Sequence, residues 1–130
     1  MTAIFSKNNA TLLSFFVLGA LTYLNPSIAQ NIDRQAKTRA TNLARNTAIS
    51  LNGGLARYVP DSCMFDSSQP VGTCLRVHDL NGFIYSFLGG EPGWQQLGMI
   101  PNTETVLQIS PTGKEVLSII YNGSPRSNFQ

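Results

Sequence analysis

The chain has 130 residues, with nine Lys or Arg against seven Asp or Glu, one histidine and two cysteines. A formal net charge of +2 exerts no overall pull toward nucleic acid or an anionic membrane. With His78 as the lone histidine and no His/Cys cluster around it, neither a metal site nor a bound cofactor is expected.

The first feature in chain order is a leader. Lys7 precedes an apolar block over 10–24, followed by Asn25-Pro26 and by the small residues Ser27 and Ala29 ahead of Gln30. A positive start, an apolar stretch of about 7–15 residues and small residues at −3 and −1 of a cut make the layout of a secretory signal peptide. Cleavage is expected between Ala29 and Gln30. The block is shorter than the roughly 20 apolar residues a membrane span needs, so a retained anchor is the alternative. A pilin-type start is the weaker option, because the Gly-Phe-Thr-Leu-Ile-Glu processing motif is missing and no acidic residue precedes Asp33. The chain thus divides into a signal peptide (1–29), a single domain (30–123) and a polar C-terminal tail (124–130) expected to fray. In an oxidising compartment Cys63 and Cys74 are expected to pair, closing a turn-rich loop. Their spacing is not that of a Cys-x-x-Cys redox motif.

Asn31 is a candidate helix cap with Asp33 in the first turn. Ile32, Ala36, Ala40, Leu43, Ala44, Thr47, Ala48, Leu51 and Leu55 then recur at spacings of three and four, one stripe of an amphipathic helix. Asn52-Gly53-Gly54 supplies the stop. The same stretch carries Arg34, Lys37, Arg39 and Arg45 against Asp33 alone. These basic groups read first as a solvated face; membrane contact through them is possible but not favoured.

The rest reads as strands. Leu75 and Val77 alternate with Arg76 and His78, the Asp79-Leu80-Asn81-Gly82 turn follows, and 83–88 is the return strand. The 94–102 segment is irregular, and strands over 104–109 and 115–121 flank a second turn. The expected fold is α+β, an N-terminal amphipathic helix packed on a roughly four-stranded antiparallel sheet. Parity places Phe83, Tyr85, Phe87, Leu107, Ile109, Leu117, Ile119 and Tyr121 toward the helix. Ile84, Leu88, Val106, Val116 and Ile120 then fall on the opposite face, which one helix cannot cover. Either the 94–102 segment folds over that face or another protein does.

No catalytic constellation emerges. His78 and Asp79 are adjacent, so their side chains diverge, and Asp79 suits the first position of its turn. No partner set places His78 with a serine and a carboxylate, and Gly89-Gly90-Glu91-Pro92-Gly93 lacks the Gly-Lys-Ser/Thr of a phosphate loop. Trp94, after Glu-Pro-Gly, reads as either a plug at the sheet edge or a binding anchor.

The leader ending Asn25-Pro26-Ser27-Ile28-Ala29-Gln30 is similar to signal peptides of cyanobacterial exported proteins. The remainder, with Asn52-Gly53-Gly54-Leu55, the Cys63 loop, Pro92-Gly93-Trp94-Gln95 and Ile120-Tyr121-Asn122-Gly123, resembles a family of small exported proteins of that group. The resemblance implies the periplasm or thylakoid lumen and no particular activity. The helix-then-strands order is also similar to cystatin-like inhibitors, whose Gln-x-Val-x-Gly loop is missing here. The functional expectation is a non-catalytic exported domain that binds a protein partner or forms a homo-oligomer. Trp94, Ile84, Leu88, Val106, Val116 and Ile120 are its candidate binding set. The alternative is a small-molecule, lipid or pigment carrier using the second sheet face; an enzyme or cystatin-like inhibitor is the remote one.

Overall fold

A computed structural model of the chain describes residues 26–66 and 74–126. Residues 1–25, which hold most of the expected signal peptide, residues 67–73 between the cysteines and residues 127–130 of the tail lie outside the described residues.

Helix α1 spans Pro26–Leu51. It starts five residues ahead of the expected Asn31 cap, since proline's fixed φ and missing N–H suit a first helical turn. The helix therefore runs across the Ala29–Gln30 bond. Its end is tied by Asn52 N to Ala48 O at 3.1 Å and Gly54 N to Ile49 O at 2.9 Å.

The buried ridge of α1 is narrower than the expected stripe. Ala36, Ala40, Ala44 and Ala48, spaced by four, are 5%, 0%, 0% and 0% exposed, whereas Leu51 and Leu55 are 42% and 59% exposed. Methyl side chains let the helix backbone approach the sheet closely, which turns the wider leucines aside. The closest approach is at Gly113, where a Cβ would stand 2.3 Å from Ala36 O. Only glycine fits there, and its φ of 73° lies in the left-handed region as well.

Five antiparallel strands form the sheet: β1 (Val59–Pro60), β2 (Leu75–Asp79), β3 (Gly82–Gly90), β4 (Thr103–Ile109) and β5 (Val116–Gly123). The order is β1-β3-β4-β5, with β2 also paired to β3. One edge of β3 is thus shared by β2 near its start and β1 at its end, and the opposite edge of the sheet is β5. Strand β1 is the fifth strand beyond the four expected; two residues ending in proline leave too short a signal.

Phe83, Tyr85, Phe87, Leu107 and Ile109 face α1 and are buried with the alanine ridge in one core. Thr41 on the helix and Tyr85 share a hydroxyl–hydroxyl bond of 2.8 Å at its centre. Tyr58 lies over Gly89, where a Cβ would meet its ring. Burial pushes the Tyr58 and Tyr85 phenols above their ordinary values.

Three register shifts correct the expected parity. In β2 the shift between Leu75 and Val77 leaves Leu75 opposite Tyr85 and His78 opposite Phe83 on the helix side, with Val77 opposite Ile84. In β5 the partners pass from Tyr121 to Ile119 and from Ser118 to Val116, leaving Ile120 and Leu117 as extra residues. Each extra residue reverses the alternation. Val116, placed by parity on the second face, consequently sits opposite Ile109 and packs against the core. Tyr121 moves the other way, opposite Val106 on the second face.

The 3₁₀ turn at Ser62–Met64 follows β1, with the Asp61 carboxylate accepting from Cys63 N at 3.0 Å. The Cys63–Cys74 disulfide joins this turn to the start of β2 across a Cα–Cα distance of 5.8 Å.

Candidate functional site

The largest concentration of exposed apolar side chains on a strand is β5. Leu117, Ile119 and Ile120 are 50%, 49% and 49% exposed. The strand, Val116-Leu-Ser-Ile-Ile-Tyr-Asn-Gly123, holds neither a charged residue nor a proline. Among the described residues it pairs only with β4, so one side presents a row of unshared backbone donors and acceptors. Of the usual devices that blunt an edge, β5 shows, among the described residues, bulges alone. A reciprocal amide pair fixes the strand's far end to the helix: Asn52 Nδ2 donates to Asn122 Oδ1 at 3.1 Å and Asn122 Nδ2 to Asn52 Oδ1 at 3.0 Å. Thr105 Oγ1 donates to the same Asn122 oxygen at 2.7 Å.

The second face is less bare than parity implied. Ile84 and Leu88 are half-buried, and Ser86 and Val106 are each 8% exposed. Trp94 covers the end of this face at Gly90, where a Cβ would lie 3.0 Å from its Cγ. Its Nε1 donates to Val59 O at 2.9 Å and the side chain is 7% exposed. The indole therefore stands as a plug between β3 and β1 rather than at a free loop tip. The 94–102 segment covers only that end, closed on itself by Met99 N to Trp94 O (2.8 Å), with Leu97 and Ile100 73% and 90% exposed.

The same end of the sheet, one strand further over, carries a buried charge. Glu104, opposite Leu88 and Gly123, is 0% exposed. Arg126 N donates to its Oε2 at 2.9 Å, and Arg126 Nε reaches Oε1 and Oε2 at 3.2 and 3.1 Å. Nη2 of Arg126 completes a forked ion pair on Oε1. These hydrogen bonds from Arg126, ahead of the opposing effect of burial, hold the Glu104 carboxyl below the usual carboxylate range. The guanidinium lies 4.1 Å from the centre of the Tyr121 ring. The tail is therefore fastened at Arg126, where fraying was expected.

His78 and Asp79 are engaged separately. His78 Nε2 meets Asp33 Oδ1 at 3.2 Å, not Asp79, and its ring stacks on Phe83 at 4.2 Å. Asp79 Oδ1 accepts from Asn81 N at 2.8 Å within the β2–β3 turn. Two of the four basic residues of α1 hold loops: Arg39 Nε donates to Thr112 O (3.1 Å) and Arg45 Nη1 to Met64 O (3.2 Å). Shallow hollows on the outer side of α1 are lined by Arg34, Gln35, Thr38 and Arg39, and by Leu43, Asn46, Thr47, Ser50 and Leu51. Among the described residues there is no group of three or more metal-ligating side chains. No described helix is long and apolar enough to cross a membrane.

Of the candidate binding set, Ile84, Leu88 and Val106 share the second face, Trp94 plugs its edge, Val116 belongs to the core, and Ile120 stands on the β5 edge. Leu117 joins Ile120 there as the second extra residue of the bulges, which leave no mark in the residue pattern, whereas Ile119 keeps its expected helix-side register opposite Leu107 and stands half-exposed on the edge strand. Glu104 and Arg126 were also missed, since their separation of 22 positions in sequence is bridged by tertiary structure alone. No family model, curated protein or solved structure matches the chain.

Proposed function

We propose that the chain is an exported, non-catalytic binding domain that docks a protein partner, or a second copy of itself, along β5. The observation that carries this reading is the uncharged strand edge bearing half-exposed Leu117, Ile119 and Ile120. An open edge is a template for an extended strand, with backbone bonds giving affinity and side-chain pockets giving selectivity. The disulfide is compatible with an oxidising, exported location. The leader and its cyanobacterial likeness favour the periplasm or thylakoid lumen.

The test is to cross-link the wild-type chain and an Ile119→Asp, Ile120→Asp double variant in the exported fractions of the native host. The expected result is one recurrent protein, or the chain itself, recovered with wild type and reduced about tenfold with the variant, a loss of ~1.4 kcal/mol in binding. Equal recovery with a folded variant, or a wild-type chain recovered alone and monomeric, overturns the reading.

A further inference from the structure

Glu104 is a carboxylate with no exposed surface, and among the described residues its hydrogen bonds all come from Arg126. Taking a carboxylate out of water is costly unless a cation meets it with good geometry. Here the geometry is that of a receptor. Two carboxylate oxygens lie in reach of a planar fork, and the Tyr121 ring lies 4.1 Å from the guanidinium carbon. The combination selects arginine over lysine, because only a guanidinium bonds both oxygens while stacking on an aromatic face.

The group that fills this receptor is loosely seated. Ser124, Pro125 and Arg126 are all exposed, and half of the Arg126 side chain faces solvent. Among the described residues, the Tyr121 hydroxyl on Ser124 O, the Arg126 backbone N–H on Glu104 Oε2, the ion pair and the ring contact are what hold the segment. Lifting it away removes nothing from the core. The receptor, by contrast, is built on β4 and β5.

We propose that Glu104 and Tyr121 form a guanidinium-binding site, occupied in cis by Arg126, that accepts in its place an arginine side chain presented by another protein. The tail acts as a tethered competitor: it shields the carboxylate until a partner offers an arginine together with further contacts. Tyr121 lies on β5, so a chain seated on that edge brings its own residues within reach of the site. The site itself stands whether or not the edge is the docking surface.

The test uses the full chain carrying Arg126→Ala, titrated with Nα-acetyl-arginine amide and followed by the NMR shifts of the Glu104 amide and the Tyr121 ring. The expected result is saturable binding, about tenfold weaker for the lysine amide as a planar fork is lost, and none for the uncharged citrulline amide. Glu104→Gln in the same background abolishes it, and wild type responds far less because Arg126 competes. A folded Arg126→Ala chain whose Glu104 and Tyr121 signals ignore the arginine amide overturns the proposal. Should Arg126→Ala fail to fold, hydrogen exchange of the Arg126 amide in wild type decides it. Faster exchange with added arginine amide, and not with citrulline amide, supports the site, and unchanged exchange overturns it.

Discussion

The two edges of the sheet are built on opposite plans. On the β1/β2 side, Trp94 caps Gly90 and bonds Val59, the 3₁₀ turn is capped by Asp61, and the disulfide ties that turn to β2. On the β5 side, three aliphatic residues stand half in water and the described fastenings are polar: the Asn52–Asn122 pair and the Glu104–Arg126 clasp. Stability is concentrated at one edge and accessible apolar surface at the other. Strand β2, which among the described residues also pairs only with β3, carries Arg76, His78 and Asp79, side chains of the kind that blunt an edge, and β5 carries no charged residue.

The sharpest way to break this contrast is at the closed edge. Trp94→Ala is expected to lower unfolding free energy by about 3–5 kcal/mol, as for other buried large aromatics, measured by urea denaturation. Next, replacing Cys63 and Cys74 by serine, or reducing the wild type, is expected to cost about 3 kcal/mol in the same assay, through the entropy regained by the unfolded loop. At the open edge, Ile119→Ala is expected to cost less than about 1.5 kcal/mol, since only half of the side chain leaves water on folding. A loss as large as that at Trp94 would mean that β5 is covered after all.

The smallest effect is read as a direction. Arg126 lowers the folded carboxyl pKa of Glu104 relative to the unfolded chain, so the pair's stabilisation is present above the unfolded value. It is lost as pH falls through the folded one, below the usual carboxylate range. Denaturation midpoints of wild type should therefore fall more steeply than those of Glu104→Gln on acidification. Parallel profiles would show that the clasp contributes nothing to folding.

Local pattern was enough for the helix, both hairpins and the disulfide, because each rests on spacing or turn chemistry within a short stretch. Ala36 to Ala48 at intervals of four, Asp79 ahead of Asn81-Gly82, and two cysteines around a turn-rich loop all carry their reasons locally. The site was not legible in the same way. Val116 and Tyr121 exchanged faces because β5 takes up two extra residues against β4, and period-two reasoning has no means of locating a bulge. Trp94 was placed in the right segment with both roles open, and only its bond to Val59 O separates plug from anchor. Glu104 and Arg126 look like ordinary surface charges until β4 and the tail are brought together.

The alanine ridge of α1 also bears on how the molecule opens. Four buried methyl groups contribute on the order of 0.8 kcal/mol each, far less than the aromatic and aliphatic side chains of β3 and β4. The helix layer should lift from the sheet at a lower free energy than the sheet itself unravels. In deuterium exchange this places the amides of α1 in a faster, denaturant-insensitive class, and those of β3 and β4 in the slow class that reports global unfolding.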